Sequence, residues 1–300
     1  MYINIVLYKY NIVLILYLNT ILFNNIGGKN IESISYEDLN YEFLENNNHN
    51  QICIHKGDYK FYFKLHLKMN NKKVVVFSNG TINHQKSTPP VFMRSTWNEK
   101  INASCIYTDD PTIHEARLTI GWGIGRKDTH FLEEISTIIK KITDCLNVED
   151  KNTLYYGSSA GGMMSMMLSI YHTSTKVVVN NPQMFVYNYL DGKPLSFLRQ
   201  KFFKEYSQPE FIKKYITRLS VPHFMKVKNY IPQTLFILNK KSVQDFDKQY
   251  LPFIEFMRTE DVDESAIQYL IYTDKHSGHN PLNKTKTINI INSSLKGEFF

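Results

Sequence analysis

The order of apolar runs in the middle of the chain constrains its fold more than any other feature. Val74–Phe77 is continuously apolar, and Asn152–Gly157 and Thr175–Pro182 contain similar runs. Such runs are typical of strands that are buried on both faces of a sheet. Helical patterns precede and follow the second run, at Thr129–Leu146 and Ser158–His172. This alternation predicts an α/β fold with a mostly parallel central sheet and helices on both of its faces.

A hairpin and further strands extend the predicted sheet. Gln51–Lys68 alternates apolar and polar residues in its second arm, with Gly57-Asp58 at the turn, as in an antiparallel pair with one wet face. Further strand-like segments are Ala103–Asp110, Leu118–Gly125, Gln233–Asn239 and Ala266–Thr273. Residues 184–232 interrupt the pattern and are rich in aromatic residues and lysine. We expect them to form a helical cap that is inserted above the sheet.

Composition limits the class of partner. The chain has 35 basic and 28 acidic residues, a formal net charge of +7, and its basic residues are spread along the sequence. This spread predicts no nucleic-acid binding. Cys53, Cys105 and Cys145 lie far apart, and no metal-binding motif is present. We therefore expect no metal, no cofactor and a reducing compartment, the cytoplasm.

The N-terminal residues 1–45 are predicted to be an apolar extension, and residues 46–300 the main domain. Residues 1–30 are apolar, but polar residues interrupt them. Three interpretations stay open: a strand-rich element of the fold, an uncleaved membrane anchor, or a stretch upstream of the fold. The second interpretation predicts membrane association through residues 1–30 and a location at the inner face of the membrane.

A Gly-x-Ser-x-Gly motif, Gly157–Gly161, joins a predicted buried strand directly to a helix. This context is the one that a nucleophile elbow requires, because the sharp turn tolerates only small residues on either side of the serine. Ser159 is the candidate nucleophile. The N–H group of Ala160, at the start of the helix, is a candidate oxyanion donor. The alternative is a structural corner made of small residues.

A nucleophilic serine needs a base and an acid, which in a sheet of this order follow it along the chain. His279 lies after the last predicted strand, between Gly278 and Pro281 in a sharp loop, and we prefer it to His276. The acid should follow Gln233–Asn239. The candidates are Asp245, which we prefer, and the alternatives Asp274 and Asp247.

The remaining site candidates lie at ends of predicted strands. Gly80 and Asn79 follow an early strand and are candidates for the second oxyanion donor, although Gly80 also fits an ordinary turn. Trp122 and Gln183 lie on the side of the sheet where ligands bind in open α/β folds, and they are candidates for lining a pocket. A core position is the alternative for Trp122.

Several segments, in this order along the chain, carry a resemblance to known proteins. They are VVVFSNGT, TPPVFMRSTWNEKINASCIYTDDPT, IGWGIG, YYGSSAGG and NNPQ. With the elbow and the late histidine, they resemble the α/β-hydrolase fold. More narrowly, they resemble capsular-polysaccharide biosynthesis proteins of the XcbB/CpsF type, and the elbow is similar to that of the accessory Sec glycan O-acetyltransferase.

The resemblance implies work on surface glycans, with Ser159 as nucleophile and His279 as base. The acid does not carry over, because no aspartate stands immediately after TLFILN. We therefore expect serine-dependent acyl transfer or ester hydrolysis on a surface glycan, from a small acyl donor. A glycosyltransferase is a candidate partner. The alternatives are a non-catalytic assembly protein of the glycan pathway and a membrane-associated lipase or esterase.

Overall fold

A computed structural model describes residues 31–300, of which Ser33–Phe300 form one compact unit. A nine-stranded sheet is the centre of this part of the chain. Its strands are β1 (Glu32–Ser35), β2 (Gln51–Lys56), β3 (Tyr59–His66), β4 (Val74–Phe77), β5 (Ser104–Thr108), β6 (Thr153–Ser158), β7 (Lys176–Asn180), β8 (Gln233–Asn239) and β9 (Ile267–Tyr272).

The strand order across the sheet is β1-β2-β3-β5-β4-β6-β7-β8-β9. Strands β2 and β3 form the predicted antiparallel hairpin, and β3 is also antiparallel to β5. From β5 to β9 every neighbouring pair is parallel. The expected mostly parallel sheet is therefore confirmed, and the carboxyl ends of β4, β6, β7, β8 and β9 lie along one edge.

The α-helices of residues 31–300 lie between the strands and after the last one. They are α1 (Tyr41–Asn46), α2 (Phe131–Cys145), α3 (Ala160–Tyr171), α4 (Lys193–Phe202), α5 (Gln208–Lys214), α6 (Ile216–Leu219), α7 (Val221–Lys228), α8 (Val243–Asp245), α9 (Leu251–Thr259) and α10 (Lys284–Lys296). A π-helical turn, Phe246–Tyr250, joins α8 to α9. Helices α4 to α7 fall within residues 184–232, where sequence analysis expects a helical insertion.

Alternate residues of each parallel strand belong to two different cores. In β4, Val74 and Val76 pack into the core that contains the apolar residues of α2 and α3. Val75 and Phe77 pack into the opposite core, with Ile288 from α10 among its members. Because both faces are covered, these strands need apolar residues at every position, which explains their continuous apolar runs.

The compact unit begins earlier than the boundary at residue 46 that sequence analysis expected. Strand β1 lies at one edge of the sheet, and Leu39 and Leu44 are buried in the core. These two leucines fix the segment before residue 46 to the rest of the unit. The expectations for residues 1–30 lie outside the described residues. Within residues 31–300, no helix has the length and apolar character needed to cross a membrane.

The predicted strand at Leu118–Gly125 is wrong, because this segment is a loop. Trp122, Gly123 and Gly125 have φ angles of +52°, +63° and +82°, which an extended strand does not allow. The carboxylate of Asp110 accepts a hydrogen bond from Gly123 N at 3.1 Å and stabilises the loop. Burial raises the pKa of this carboxyl group above its ordinary value.

Candidate active site

Ser159 occupies the sharp turn between β6 and α3. Its backbone has φ +56° and ψ −125°, a strained conformation for a residue with a side chain. A Cβ atom on Gly157 would lie 1.9 Å from the carbonyl oxygen of Gly161, and one on Gly161 would lie 2.8 Å from the carbonyl oxygens of Ser78 and Asn79. The two glycines are therefore required for close backbone packing around the turn.

Three side chains from distant parts of the chain form a continuous hydrogen-bonded relay. The His279 Nε2 atom lies 2.9 Å from Ser159 Oγ. The other ring nitrogen, Nδ1, lies 2.8 Å from both carboxylate oxygens of Asp245. A carboxylate accepts hydrogen bonds, so Nδ1 carries the proton and leaves Nε2 free to accept from the serine hydroxyl. This arrangement can move a proton from Ser159 to His279.

The acid and the base of the relay differ in exposure. The Asp245 side chain is 1% exposed, whereas that of His279 is 38% exposed. The hydroxyl of Ser242 donates to Asp245 Oδ2 at 2.5 Å, and Asp245 N donates to Ser242 O at 3.1 Å. This turn directs the carboxylate back toward the sheet edge, although the residue lies several positions after β8. The acid is thus sealed while the base remains accessible.

The two alternative acids lie away from the relay. Asp247 is exposed on the π-helical turn. Asp274 is exposed and accepts hydrogen bonds from His276 N at 2.9 Å and Ser277 N at 3.1 Å. The N–H groups of Ser277 and His276 hold the pKa of this carboxyl below its ordinary value. Asp274 therefore organises the loop before His279.

Buried asparagines at the ends of β7 and β8 hold the loop that carries His279. Asn181 donates through its side chain to His279 O at 3.1 Å. Asn239 donates through its side chain to Gly278 O at 2.9 Å and to Asp274 O at 2.7 Å. No sequence motif predicted a role for either residue. An asparagine that ends a fully apolar strand requires hydrogen-bond partners when it is buried, and this was the available signal.

A second side chain contacts the oxygen of Ser159. The Gln183 Nε2 atom donates to Ser159 Oγ at 3.0 Å. The Trp122 indole N–H donates to Gln183 Oε1 at 2.5 Å. Both Trp122 and Gln183 are 0% exposed. The structure therefore brings both predicted pocket residues to the serine: Gln183 contacts Ser159 directly, and Trp122 contacts it through Gln183.

The candidate oxyanion donors lie on both sides of the turn. Ala160 is the first residue of α3, where backbone N–H groups lack a carbonyl partner within the helix. The N–H of Gly80 points to the sulfur of Met93 at 3.2 Å. The side chain of Asn79 is buried, donates to Val91 O and accepts from Met93 N. The Asn79 side chain thus shapes the loop around Gly80.

Tyr189, from the inserted segment, lies beside the relay, and sequence analysis did not identify it. Its ring centroid is 6.5 Å from that of His279 and 6.3 Å from that of Trp122. Burial raises the pKa of its hydroxyl above the ordinary value. The abundance of aromatic residues in 184–232 was the sequence signal for such a contact.

The neighbouring serine has a different environment. Ser158 Oγ accepts a hydrogen bond from the Arg94 guanidinium at 2.6 Å. Arg94 also lies over the rings of Trp97 and Tyr156, at 5.5 and 5.3 Å from their centroids. Of the two serines in the motif, Ser159 is therefore the one that joins the relay.

No group of three or more His, Cys, Asp or Glu side chains that could hold a metal ion occurs within residues 31–300. The chemistry that the arrangement supports is nucleophilic attack by a serine, with a histidine as general base and a buried aspartate that orients it.

The fold is shared with solved α/β hydrolases, whereas neither a family model nor a curated protein matches the sequence. A CoA complex of the capsule O-acetyltransferase of Neisseria meningitidis serogroup A has a TM-score of 0.57 at 13% identity, over 85% of this chain and 97% of that chain. Acetyl xylan esterase 1 from Thermoanaerobacterium gives 0.54 at 16% identity, over 79% of each chain. The fluorophosphonate-binding serine hydrolase FphF of Staphylococcus aureus gives 0.52 at 13% identity, over 83% of this chain and 97% of that chain.

At these identities the similarity establishes the fold alone. The α/β-hydrolase fold expected from the sequence is confirmed. The narrower resemblance to capsular-polysaccharide proteins of the XcbB/CpsF type stays a prediction.

Proposed function

We propose that this protein is a serine enzyme that transfers or hydrolyses acyl groups on a surface glycan. The observation that carries the proposal is the unbroken hydrogen-bonded relay from Asp245 through His279 to Ser159 Oγ. The strained backbone of Ser159 supports a functional role for the turn.

The reaction has two balanced halves. Ser159 Oγ attacks the acyl carbon while its proton moves to His279 Nε2, and the carbonyl π electrons form an oxyanion. The oxyanion collapses, the bond to the leaving alcohol or thiol breaks, and that group takes the proton from His279. Water or a sugar hydroxyl then attacks acyl-Ser159, gives its proton to His279 and releases Ser159, which takes the proton back.

The proposed substrate is a glycan, with a small acyl ester or thioester as donor. The sequence resemblance supports it, and so do a capsule O-acetyltransferase and an acetyl xylan esterase among proteins of the same fold. The CoA in the former structure supports a thioester donor. A glycosyltransferase partner and a place at the inner face of the membrane belong to the same proposal.

A fluorophosphonate probe and intact-mass measurement test the proposal. We expect the wild type to gain one probe adduct and Ser159→Ala to gain none. Ser158→Ala is the matched control, because its hydroxyl bonds to Arg94 rather than to the relay, and it should still be labelled. A folded wild type that gains no adduct would instead support a non-catalytic assembly protein.

A second experiment separates the two acceptors. The wild type is supplied with acetyl-CoA, with and without a capsular glycan, and both free acetate and acetylated sugar are measured. Acetylated sugar that requires Ser159 identifies an acyltransferase. Free acetate alone, together with release of acetate from an acetylated glycan, identifies an esterase.

A further inference from the structure

Ser159 Oγ has two side-chain partners, whereas the relay needs only one. The second is Gln183, whose amide nitrogen lies 3.0 Å from Oγ. Gln183 is 0% exposed, and its backbone N–H also donates to Ser159 O at 3.1 Å. Its side chain is thus anchored to the residue whose oxygen it contacts.

The orientation of the Gln183 amide follows from the chemistry of Trp122. An indole N–H is only a donor, so the atom of Gln183 that faces it at 2.5 Å must be the carbonyl oxygen Oε1. The amide nitrogen must then face Ser159. Within residues 31–300, Ser159 Oγ is the acceptor for Nε2, and the second N–H of this buried amide has no acceptor. A buried donor without a partner is costly unless a ligand supplies the acceptor.

A second observation concerns Gly80, whose backbone N–H is the expected second oxyanion donor. This N–H points to the sulfur of Met93, a weak acceptor. The Gln183 amide, in contrast, already contacts the reacting oxygen. When Ser159 Oγ bonds to an acyl carbon, the oxyanion forms on that same carbon, so it lies within reach of the second N–H of the amide.

We propose that Gln183 is a catalytic residue that donates its free N–H to the oxyanion, and that Trp122 is the positioning residue that fixes the amide. This inference rests on the proposed serine chemistry. In the resting enzyme the first N–H holds Ser159 Oγ, so that the hydroxyl proton points to His279. In the tetrahedral intermediate the second N–H shares the negative charge with Ala160 N–H. The Gln183 side-chain amide keeps both of its N–H protons throughout the reaction.

Gln183→Met tests the catalytic role, because methionine keeps the length of the side chain and removes both N–H donors. With p-nitrophenyl acetate we expect kcat to fall about 10²- to 10³-fold at a nearly unchanged KM, the range for loss of one oxyanion donor. The rate of fluorophosphonate labelling should fall in parallel. Gln183→Glu, which replaces the donor by a carboxylate beside the oxyanion, should be at least as slow.

The control is Ser169→Ala, at the far end of α3, where a buried hydroxyl bonds to Thr175 at 2.7 Å. It should lower the melting temperature and leave kcat unchanged. Melting temperatures of all variants, measured by circular dichroism, separate folding from catalysis.

Trp122→Phe tests the positioning role. Phenylalanine removes the indole N–H and frees the Gln183 amide to turn. As a single substitution, Trp122→Phe should therefore lower kcat about 10-fold. The kcat should fall no further when Gln183→Met is already present, because Trp122 acts through Gln183.

A folded Gln183→Met protein within fivefold of the wild-type kcat would overturn the inference. So would additive effects of Trp122→Phe and Gln183→Met. If the wild type reacts with the probe and Gln183→Met reacts equally fast, only this inference fails. If the folded wild type does not react at all, the proposed function fails with it.

Discussion

Two groups of side chains reach Ser159, and they differ in charge and in exposure. The relay arm, Asp245 and His279, contains ionisable groups, and the His279 side chain is 38% exposed. The amide arm, Trp122 and Gln183, is uncharged and 0% exposed. The relay arm comes from the segments that follow β8 and β9, Asp245 at the end of α8 and His279 in a loop, whereas the amide arm comes from the loops after β5 and β7.

The difference corresponds to two physical tasks. A group that exchanges protons with a substrate must be accessible, and its charge changes during the reaction. A group that only orients a dipole is most effective when it is buried, because a low local dielectric strengthens its hydrogen bonds and packing holds its geometry. The two arms should therefore respond differently to substitution.

The largest effect should come from the relay arm. Asp245→Asn keeps the shape of the acid, but it removes the carboxylate that holds the proton on His279 Nδ1. We expect kcat to fall about 10⁴-fold, since the imidazole is then held in the wrong tautomer. Steady-state hydrolysis of p-nitrophenyl acetate measures it.

Asp247→Asn is the matched control for this substitution. Asp247 is exposed on the π-helical turn, two positions after Asp245 and outside the relay. It should change kcat less than about threefold. Equal losses in the two variants would contradict the assignment of Asp245.

The next largest effect should come from the turn that both arms share. In Gly157→Ala, the new Cβ would lie 1.9 Å from the carbonyl oxygen of Gly161, so the backbone must move. We expect the free energy of unfolding to fall by about 3 kcal/mol or more, measured by urea denaturation. Gly57→Ala is the control, because its Cβ meets open space at φ +57°, and it should cost about 1 kcal/mol. Similar losses of unfolding free energy in Gly157→Ala and Gly57→Ala would show that the turn at Ser159 tolerates a side chain at position 157.

The smallest effect should come from the loop that supports the amide arm. Gly123 has φ +63°, and a Cβ there would lie 2.4 Å from Leu132 Cδ2, the end of a flexible side chain. Gly123→Ala should therefore cost about 2 kcal/mol, between the two preceding variants. It should lower kcat with little change in KM, since it displaces Trp122. An unchanged kcat in the folded variant would separate this loop from catalysis.

Much of the fold could be predicted from the sequence. The buried strands at Val74–Phe77 and Lys176–Asn180, and the helix at Phe131–Cys145, were all visible in the periodicity of apolar residues. The segment Leu118–Gly125 was not, because its apolar residues resemble a strand. Its loop conformation depends on positive φ angles and on Asp110, which the pattern does not record.

The site could be predicted in part. The motif and the chain order led to Ser159 and His279, which lie 120 positions apart and meet at 2.9 Å. For the acid the sequence favoured Asp245 but kept Asp274 and Asp247 as alternatives, since the loop after β8 has no fixed length. Only the turn at Ser242 directs Asp245 to His279.

The sequence by itself determined which buried segments form parallel strands and where the strained turn at Ser159 lies, because both depend on local backbone preferences and on the pattern of burial. The tertiary structure decided the partners of the serine. Trp122 and Gln183 are 61 positions apart, and each has a plausible isolated role as a core or pocket residue. They become a pair with a defined amide orientation only when the ends of the strands meet at one edge of the sheet. There, hydrogen-bond geometry sets the orientation of the amide, and the periodicity of the sequence does not.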